Sequence, residues 1–172
     1  MKIKSTLISE KVTSNSKEAF DLFASQRFGE KKGEKITYML SEALYLLEDG
    51  KIEIFDSKNK LLTEEEVIRK FKKIDKKFKT KYIVFKDLRK KGYIVKTALK
   101  YGAEFRVYDK GIKIESGHSK WICFPISENQ SLTWQEFSAK NRVAHSTKKN
   151  LLIAIVDEEE DISYFEIKWI KP

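Results

Sequence analysis

The chain has 172 residues, a formal net charge of +9 and a hydrophobic content of 41%. This length and apolar content suit one large or two small globular domains. The sequence has few prolines and glycines to form a linker, and no apolar run approaches the roughly 18 residues of a membrane-spanning helix. Its first residues lack the apolar core of a secretion signal. We therefore expect a cytoplasmic protein with no membrane partner.

Residues 1–80 predict a small mixed α and β domain. Ser41–Asp49 carries apolar residues at helical spacing. Thr63 with Glu66 forms the signal of a capping box, and the apolar spacing that follows predicts one helix running through Phe78. Lysines cover the outer side of this helix, and we interpret them as a solvated face rather than as an RNA contact.

Residues 81–172 predict a second domain built on a mixed sheet. Thr133 with Glu136 predicts a capped helix that reaches about Lys148. The segments with strand-like patterns are Tyr93–Val95, Ala103–Tyr108, Ile112–Ile114, Trp121–Ile126, Leu151–Val156 and Ser163–Ile170. The predicted fold class is therefore α+β or α/β, with a boundary near residue 80. The single cysteine, Cys123, lies in an apolar segment and is predicted to be a core residue.

The second half is basic except for one run of acids. Residues 81–172 carry a net charge of +5, which becomes +10 without the run. The run consists of Asp157, Glu158, Glu159, Glu160 and Asp161. It falls between two predicted strands, so its ordinary interpretation is the solvated tip of a hairpin.

Two side chains in this half are candidates for proton transfer. Tyr108 ends a predicted strand, where a tyrosine is usually structural, but Arg106 and Lys110 flank it with positive charge that would favour a phenolate. His118 lies in a short polar loop and should be exposed. Imidazole gains and loses protons near neutral pH, which suits a general acid.

A basic stripe is predicted near the end of the helix that begins at Thr133. Arg142, His145, Ser146 and Lys149 are spaced so that all four would lie along one side of that helix. Such a stripe could line a phosphate site. Cations at a helix end also stabilise the helix dipole, and for Lys149 this ordinary explanation carries more weight on spacing alone. The spacing assigns no catalytic role to His145.

Three blocks of the second half stand in a distinctive order. They are Tyr93–Lys96 continued by Gly102–Tyr108, then Gly117–Ser119, then Arg142–Ser146 followed by Lys149 and the strand Leu151–Asp157. This order resembles the tRNA-splicing endonucleases of archaea, which are related to the catalytic subunits of the eukaryotic splicing enzyme. The resemblance covers most of residues 82–172, whereas residues 1–80 look like the more variable amino-terminal domain of that family.

The resemblance implies a role for each of three side chains. Tyr108 would be the general base on a 2′-hydroxyl, His118 the general acid to the departing 5′-oxygen, and Lys149 the cation that stabilises the transition state. The products would be a 2′,3′-cyclic phosphate and a 5′-hydroxyl. No cofactor and no metal is expected, and the sequence has no compact Asp/Glu cluster beside these residues.

The resemblance also implies contacts with RNA and with other copies of the chain. Arg142 would be one cation gripping a bulged base, and Lys168 or Trp169 on the last strand would be the second group. The acidic turn, residues 157–161, would enter a basic pocket of another subunit. The last strand would pair with its counterpart, giving a homotetramer that is a dimer of dimers.

The first hypothesis is an endoribonuclease that excises introns from precursor tRNA at a bulge-helix-bulge. The second is a non-catalytic, RNA-binding or structural subunit of such an enzyme. The third is a metal-dependent DNA nuclease with a similar core. Cleavage of a bulged RNA in EDTA by the chain alone would separate them.

Overall fold

The computed structural model describes residues 1–111 and 117–172. The chain divides into two compact units, Met1–Lys79 and Thr80–Pro172. Each combines helices with one mixed sheet, which confirms the predicted mixed fold class. The strand predicted at Ile112–Ile114 lies outside the described residues. Within the described part of the chain, no helix is long and apolar enough to cross a membrane.

The first unit is built on a five-stranded sheet in the order β3-β4-β2-β1-β5. Strand β1 pairs in parallel with β5, and the other neighbours are antiparallel. The elements in chain order are β1 (Ile3–Ile8), β2 (Lys11–Ser14), α1 (Lys17–Gln26), β3 (Glu30–Lys32), β4 (Lys35–Tyr38), α2 (Leu40–Glu48), β5 (Ile52–Phe55) and α3 (Glu64–Ile74). The helix predicted at Ser41–Asp49 is therefore confirmed as α2.

Helix α3 begins as predicted but ends earlier. Thr63 and Glu66 form the expected capping box. The backbone of Asp75 is extended, with φ −134 and ψ 110, so the prediction of one helix through Phe78 is wrong. The Asp75 carboxylate accepts a hydrogen bond from the amide of Lys77 at 2.9 Å, as a residue that opens a helix does. Phe78 starts the next helix and packs edge-on against Phe71.

The second unit is built on a five-stranded sheet in the order β10-β9-β8-β7-β6. Only the β8 and β9 pairing is parallel among the four described in this sheet, and α5 forms the crossover between them. The elements are α4 (Phe78–Lys90), whose first two residues belong to the first unit, β6 (Ile94–Thr97), a 3-10 turn (Leu99–Tyr101), β7 (Phe105–Tyr108), β8 (Trp121–Ser127), α5 (Trp134–Ser146), β9 (Asn150–Val156) and β10 (Ile162–Ile167).

The core of the second unit lies along β8 and β9. One buried cluster joins these strands to α5 and to both ends of the 3-10 turn: Ala98, Ala103, Ile122, Phe124, Ile126, Ala144, Leu151 and Ile153. Cys123 is fully buried, which confirms its prediction as a core residue. Burial raises the pKa of its thiol, and Glu104 raises it further.

Candidate functional site

One row of residues crosses three strands at one end of the second sheet. Val107 of β7 pairs with Trp121 of β8, and Trp121 pairs with Asn150 of β9. Backbone hydrogen bonds reinforce the row: the Lys120 amide donates to the Val107 carbonyl at 2.8 Å, and the Asn150 amide donates to the Lys120 carbonyl at 3.1 Å. Neighbouring strands lie about 4.8 Å apart, so the two ends of this row are about 10 Å apart.

The three residues predicted to be catalytic all adjoin this row. Tyr108 directly follows its β7 member, Lys149 directly precedes its β9 member, and His118 lies three residues before its β8 member. Strand β7 runs toward this end of the sheet, whereas β8 and β9 start from it. The fold therefore brings the backbones of three residues that are distant in sequence to one end of one sheet.

Tyr108 is more buried than its position at a strand end suggested. It pairs with Ile94 of β6 and is 6% exposed. The two cations expected to flank it face other aromatic rings. The Arg106 guanidinium carbon lies 6.0 Å from the centre of the Tyr101 ring, and the Lys110 Nζ lies 4.8 Å from that of Tyr93. Strand β7 is interior to the sheet, which explains why its last residue is covered.

His118 is exposed, as predicted from its polar surroundings in the sequence. The next residue, Ser119, is 5% exposed. Its hydroxyl has no hydrogen-bond partner among the residues that the structure describes. The amide of Lys120, one residue later, donates a hydrogen bond to β7. The exposed imidazole of His118 therefore lies two residues from a hydrogen-bonded backbone position.

Lys149 lies beyond the end of α5, so its predicted place in a helical stripe is wrong. The helix ends at Ser146, and Lys148 then takes a left-handed backbone with φ 58. Arg142 and His145 lie within the helix and are exposed. The Lys149 amide donates to the carbonyl of Ala144 at 2.9 Å. The chain thus reverses sharply, and Lys149 comes to the first position before β9.

The two residues predicted on the last strand follow it instead. Strand β10 ends at Ile167, so the placement of Lys168 and Trp169 within it is wrong. The Lys168 Nζ lies 3.3 Å from a carboxylate oxygen of Glu166. The Trp169 ring is 59% exposed and meets His145 edge-on, with ring centres 4.0 Å apart. Because His145 is one helical turn from Arg142, Trp169 lies along the side of α5 that carries Arg142.

The acidic turn is an ordered hairpin tip. One carboxylate oxygen of Asp157 accepts hydrogen bonds from the amides of Glu159 and Asp161, each at 2.9 Å. The amide of Glu158 donates to the Glu128 side chain at 2.9 Å. The carboxylates of residues 158–161 are left facing outward. Among residues 1–111 and 117–172, no three His, Cys, Asp or Glu side chains group as metal ligands would.

Tyr101 is a residue that the sequence reasoning did not select. Its half-buried ring lies near three cations, with Lys100 Nζ at 4.9 Å, Lys149 Nζ at 5.7 Å and the Arg106 guanidinium at 6.0 Å. A hydrogen bond from Lys100 lowers the pKa of the Tyr101 hydroxyl, and the charges of Arg106 and Lys149 lower it further. The run Lys100-Tyr101-Gly102 between two strands is the signal that could have identified it.

Two protein-family models match the chain. The model described as tRNA intron endonuclease, N-terminal domain, matches residues 3–68, and the one described as tRNA intron endonuclease, catalytic C-terminal domain, matches residues 78–164. A tRNA-splicing endonuclease of Pyrococcus abyssi is 42% identical over 96% of this chain and 95% of its own. One of Methanothermobacter thermautotrophicus is 37% identical over 100% of both chains. One of Nanoarchaeum equitans is 45% identical over 77% of this chain and 88% of its own.

Proposed function

The chain belongs to the tRNA intron endonuclease family, and we propose on that basis that it excises introns from precursor tRNA. It cuts at both exon-intron junctions of a bulge-helix-bulge. The observation that carries the proposal is the row through Val107, Trp121 and Asn150, which brings Tyr108, His118 and Lys149 to one end of the sheet. A phenol, an imidazole and an ammonium supply the three functions that cleavage of an RNA phosphodiester requires.

In the proposed reaction the 2′-oxygen attacks the adjacent phosphorus. Tyr108, as phenolate, takes the proton of the 2′-hydroxyl while the new oxygen–phosphorus bond forms. His118, as imidazolium, gives its proton to the 5′-oxygen while the bond from phosphorus to that oxygen breaks. Lys149 stabilises the negative charge on the phosphate oxygens between them. The products are a 2′,3′-cyclic phosphate and a 5′-hydroxyl, so the reaction is that of a lyase. Water is not a reactant, and none of these steps uses a metal ion.

The exposure of the three side chains agrees with these roles. His118 is exposed and can reach a departing oxygen at the protein surface. Lys149 is half-buried, which limits the number of its conformations. Tyr108 is 6% exposed, so few water molecules contact its side chain. A site with little water leaves fewer competitors for a hydrogen bond with a 2′-hydroxyl.

We propose that Arg142 and Trp169 hold a bulged base on the exposed side of α5. Trp169 packs on His145, one turn from Arg142, and both Arg142 and Trp169 present exposed planar groups that stack with bases. Lys168 remains a second candidate for this contact, although its ammonium pairs with Glu166. Base stacking and phosphate contacts fit recognition of RNA shape more than of base sequence.

We also propose that the chain acts as a homotetramer, a dimer of dimers. Strand β10 is an edge of the second sheet, and its Phe165 side chain is 52% exposed. Exposed apolar edge strands are usually paired or covered, which supports pairing of β10 with a second copy. The acidic turn, residues 157–161, supplies negative charge that a basic pocket of another copy could accept.

The test is cleavage of a bulge-helix-bulge RNA by the purified chain in EDTA. His118→Ala and Lys149→Ala should each reduce cleavage by about 100- to 10,000-fold, the effect of removing one catalytic group, while RNA binding stays nearly intact. Lys148→Asn is the matched control, because Lys148 is an exposed neighbouring cation with φ 58 and asparagine tolerates that backbone. A 2′-deoxy substitution at the cleavage position should also stop the reaction.

Each alternative outcome has a clear meaning. Cleavage by either alanine variant at the parental rate would refute the assigned roles. Specific binding without cleavage by the parental chain would favour the non-catalytic subunit. Loss of cleavage in EDTA, or cleavage of DNA, would favour a metal-dependent nuclease.

A further inference from the structure

Tyr101 is held rigidly beside the start of β9. It ends the 3-10 turn Leu99–Tyr101, and Gly102 follows with φ 73, a left-handed conformation that glycine adopts without strain. Its half-buried ring packs against the buried cluster of the second unit. That cluster includes Ala144 in the last turns of α5, and the carbonyl of Ala144 accepts the amide of Lys149. The ring and Lys149 are therefore attached to the same small region.

The Lys149 ammonium has two contacts in this region. Its Nζ donates a hydrogen bond to the carbonyl of Thr147 at 2.9 Å and lies 5.7 Å from the centre of the Tyr101 ring. An ammonium has three N–H donors, so one bond to the protein leaves two for other acceptors. The carbonyl fixes the ammonium on one side, and the negative face of an aromatic ring attracts it on another.

Without these contacts the Lys149 side chain would be poorly ordered. A lysine side chain samples many rotamers, and this conformational freedom must be lost before its charge can act at one defined point. A side chain that is already held in place loses little further conformational entropy when the transition state forms. Lys100 and Arg106 also lie beside the Tyr101 ring, and their positive charges repel the ammonium of Lys149 and so oppose its placement. An attractive surface is needed to hold it there.

We propose that Tyr101 is a positioning residue, whose ring face holds the Lys149 ammonium where it meets the scissile phosphate. This inference rests on the proposed function, since Lys149 acts on the phosphate only in that reaction. Tyr101 itself transfers no proton and touches no reacting atom. The ring carries the effect and the hydroxyl is dispensable, because the attraction comes from the face of the ring.

The experiment compares three proteins in single-turnover cleavage at saturating enzyme. Tyr101→Phe keeps the ring and should cleave within about 2-fold of the parental rate. Tyr101→Leu removes the ring and should cleave about 10- to 100-fold more slowly, because the ammonium is no longer held in place. The Kd for a 2′-deoxy, uncleavable RNA should change less than 2-fold in either variant. This division between rate and binding is one that a merely structural role would not produce.

Two controls separate the inference from misfolding. Tyr45→Leu removes another half-buried tyrosine, one that stacks on Phe28 in the first unit, and should leave the rate unchanged. Tyr101→Met also keeps apolar bulk without a ring; it replaces Tyr101→Leu in the comparison if that variant folds poorly, and its rate should fall by the same 10- to 100-fold. Crystal structures should show the Lys149 Nζ on the Thr147 carbonyl in the parental protein and displaced from it in the ring-less variants.

Several results would overturn the inference. They are an unchanged rate in both ring-less variants, a loss in Tyr101→Phe as large as in Tyr101→Leu, a weaker Kd with an unchanged rate, and a Lys149 side chain that does not move. A parental protein that cuts no RNA would refute the proposed function instead, and the crystal structures would still report on the contact between the ring and the ammonium.

Discussion

Glu42 provides a test of whether burial increases the contribution of a helix-capping carboxylate to the free energy of unfolding. Glu42 lies in the first turn of α2 and is 2% exposed. One carboxylate oxygen accepts a hydrogen bond from the amide of Gly29 at 2.9 Å, and the other accepts one from the amide of Met39 at 3.1 Å. The carboxylate thus joins the start of the helix to the turn before β3. Its charge adds to the effect of burial in raising the pKa of Tyr38.

Replacing Glu42 by alanine leaves both backbone donors without this acceptor. A hydrogen bond to a charged group is worth about 1.5–3 kcal/mol, so the loss of two in Glu42→Ala should lower the free energy of unfolding by about 3–6 kcal/mol. Glu42→Gln keeps the shape and one acceptor oxygen, but it presents an N–H group to the other amide. Its cost should therefore fall between those of the parental protein and the alanine variant.

Glu136 is the matched control because it makes the same capping contact on the surface. Its carboxylate accepts from the amide of Thr133 at 2.7 Å at the start of α5, and it is exposed. Glu136→Ala should cost only about 1 kcal/mol, the usual value of an exposed cap. Urea unfolding followed by circular dichroism measures both variants. Equal losses for Glu42→Ala and Glu136→Ala would refute the argument from burial.

Alkaline pH should destabilise the protein because burial raises the pKa of the Cys123 thiol. The folded-state pKa of the thiol exceeds the unfolded value, so the unfolded chain ionises first as the pH rises above about 8.5, and the free energy of unfolding then falls by about 1.4 kcal/mol per pH unit. Urea unfolding at rising pH measures this fall, and the same fall in Cys123→Ala would contradict the reasoning. Replacing Glu158, Glu159 and Glu160 together by lysine should convert the proposed tetramer into dimers in sedimentation experiments, whereas Glu34→Lys, in an exposed turn of the first unit, should not. An unchanged mass for the triple variant would remove the docking role of the turn.

Local signals in the sequence predicted the starts of helices well. The pairs Thr63 with Glu66 and Thr133 with Glu136 each cap a helix where expected, because a capping box involves only four consecutive residues. Helix ends were less predictable. The breaks after α3 at Asp75 and after α5 at Lys148 involve neither glycine nor proline, so neither carries a strong stop signal.

The site was only partly predictable, because it depends on pairing between distant strands. The row through Val107, Trp121 and Asn150 is a matter of register across the sheet, which spacing along the chain does not determine. The contact of Trp169 with His145 likewise joins a segment after the last strand to a helix. Tyr101 escaped selection because its neighbours Arg106 and Lys149 approach it only in the folded chain.

The parallel pairing of β8 with β9 has a consequence for the timing of activity during synthesis. Strand β9 inserts beside β8 only after the whole of α5 has been made, because that helix is the crossover between them. Lys149 directly precedes the start of β9, so a nascent chain that ends before β9 lacks the cation that we propose stabilises the charge on the phosphate. A ribosome-bound fragment should therefore be unable to cut cellular RNA until translation has passed Val156.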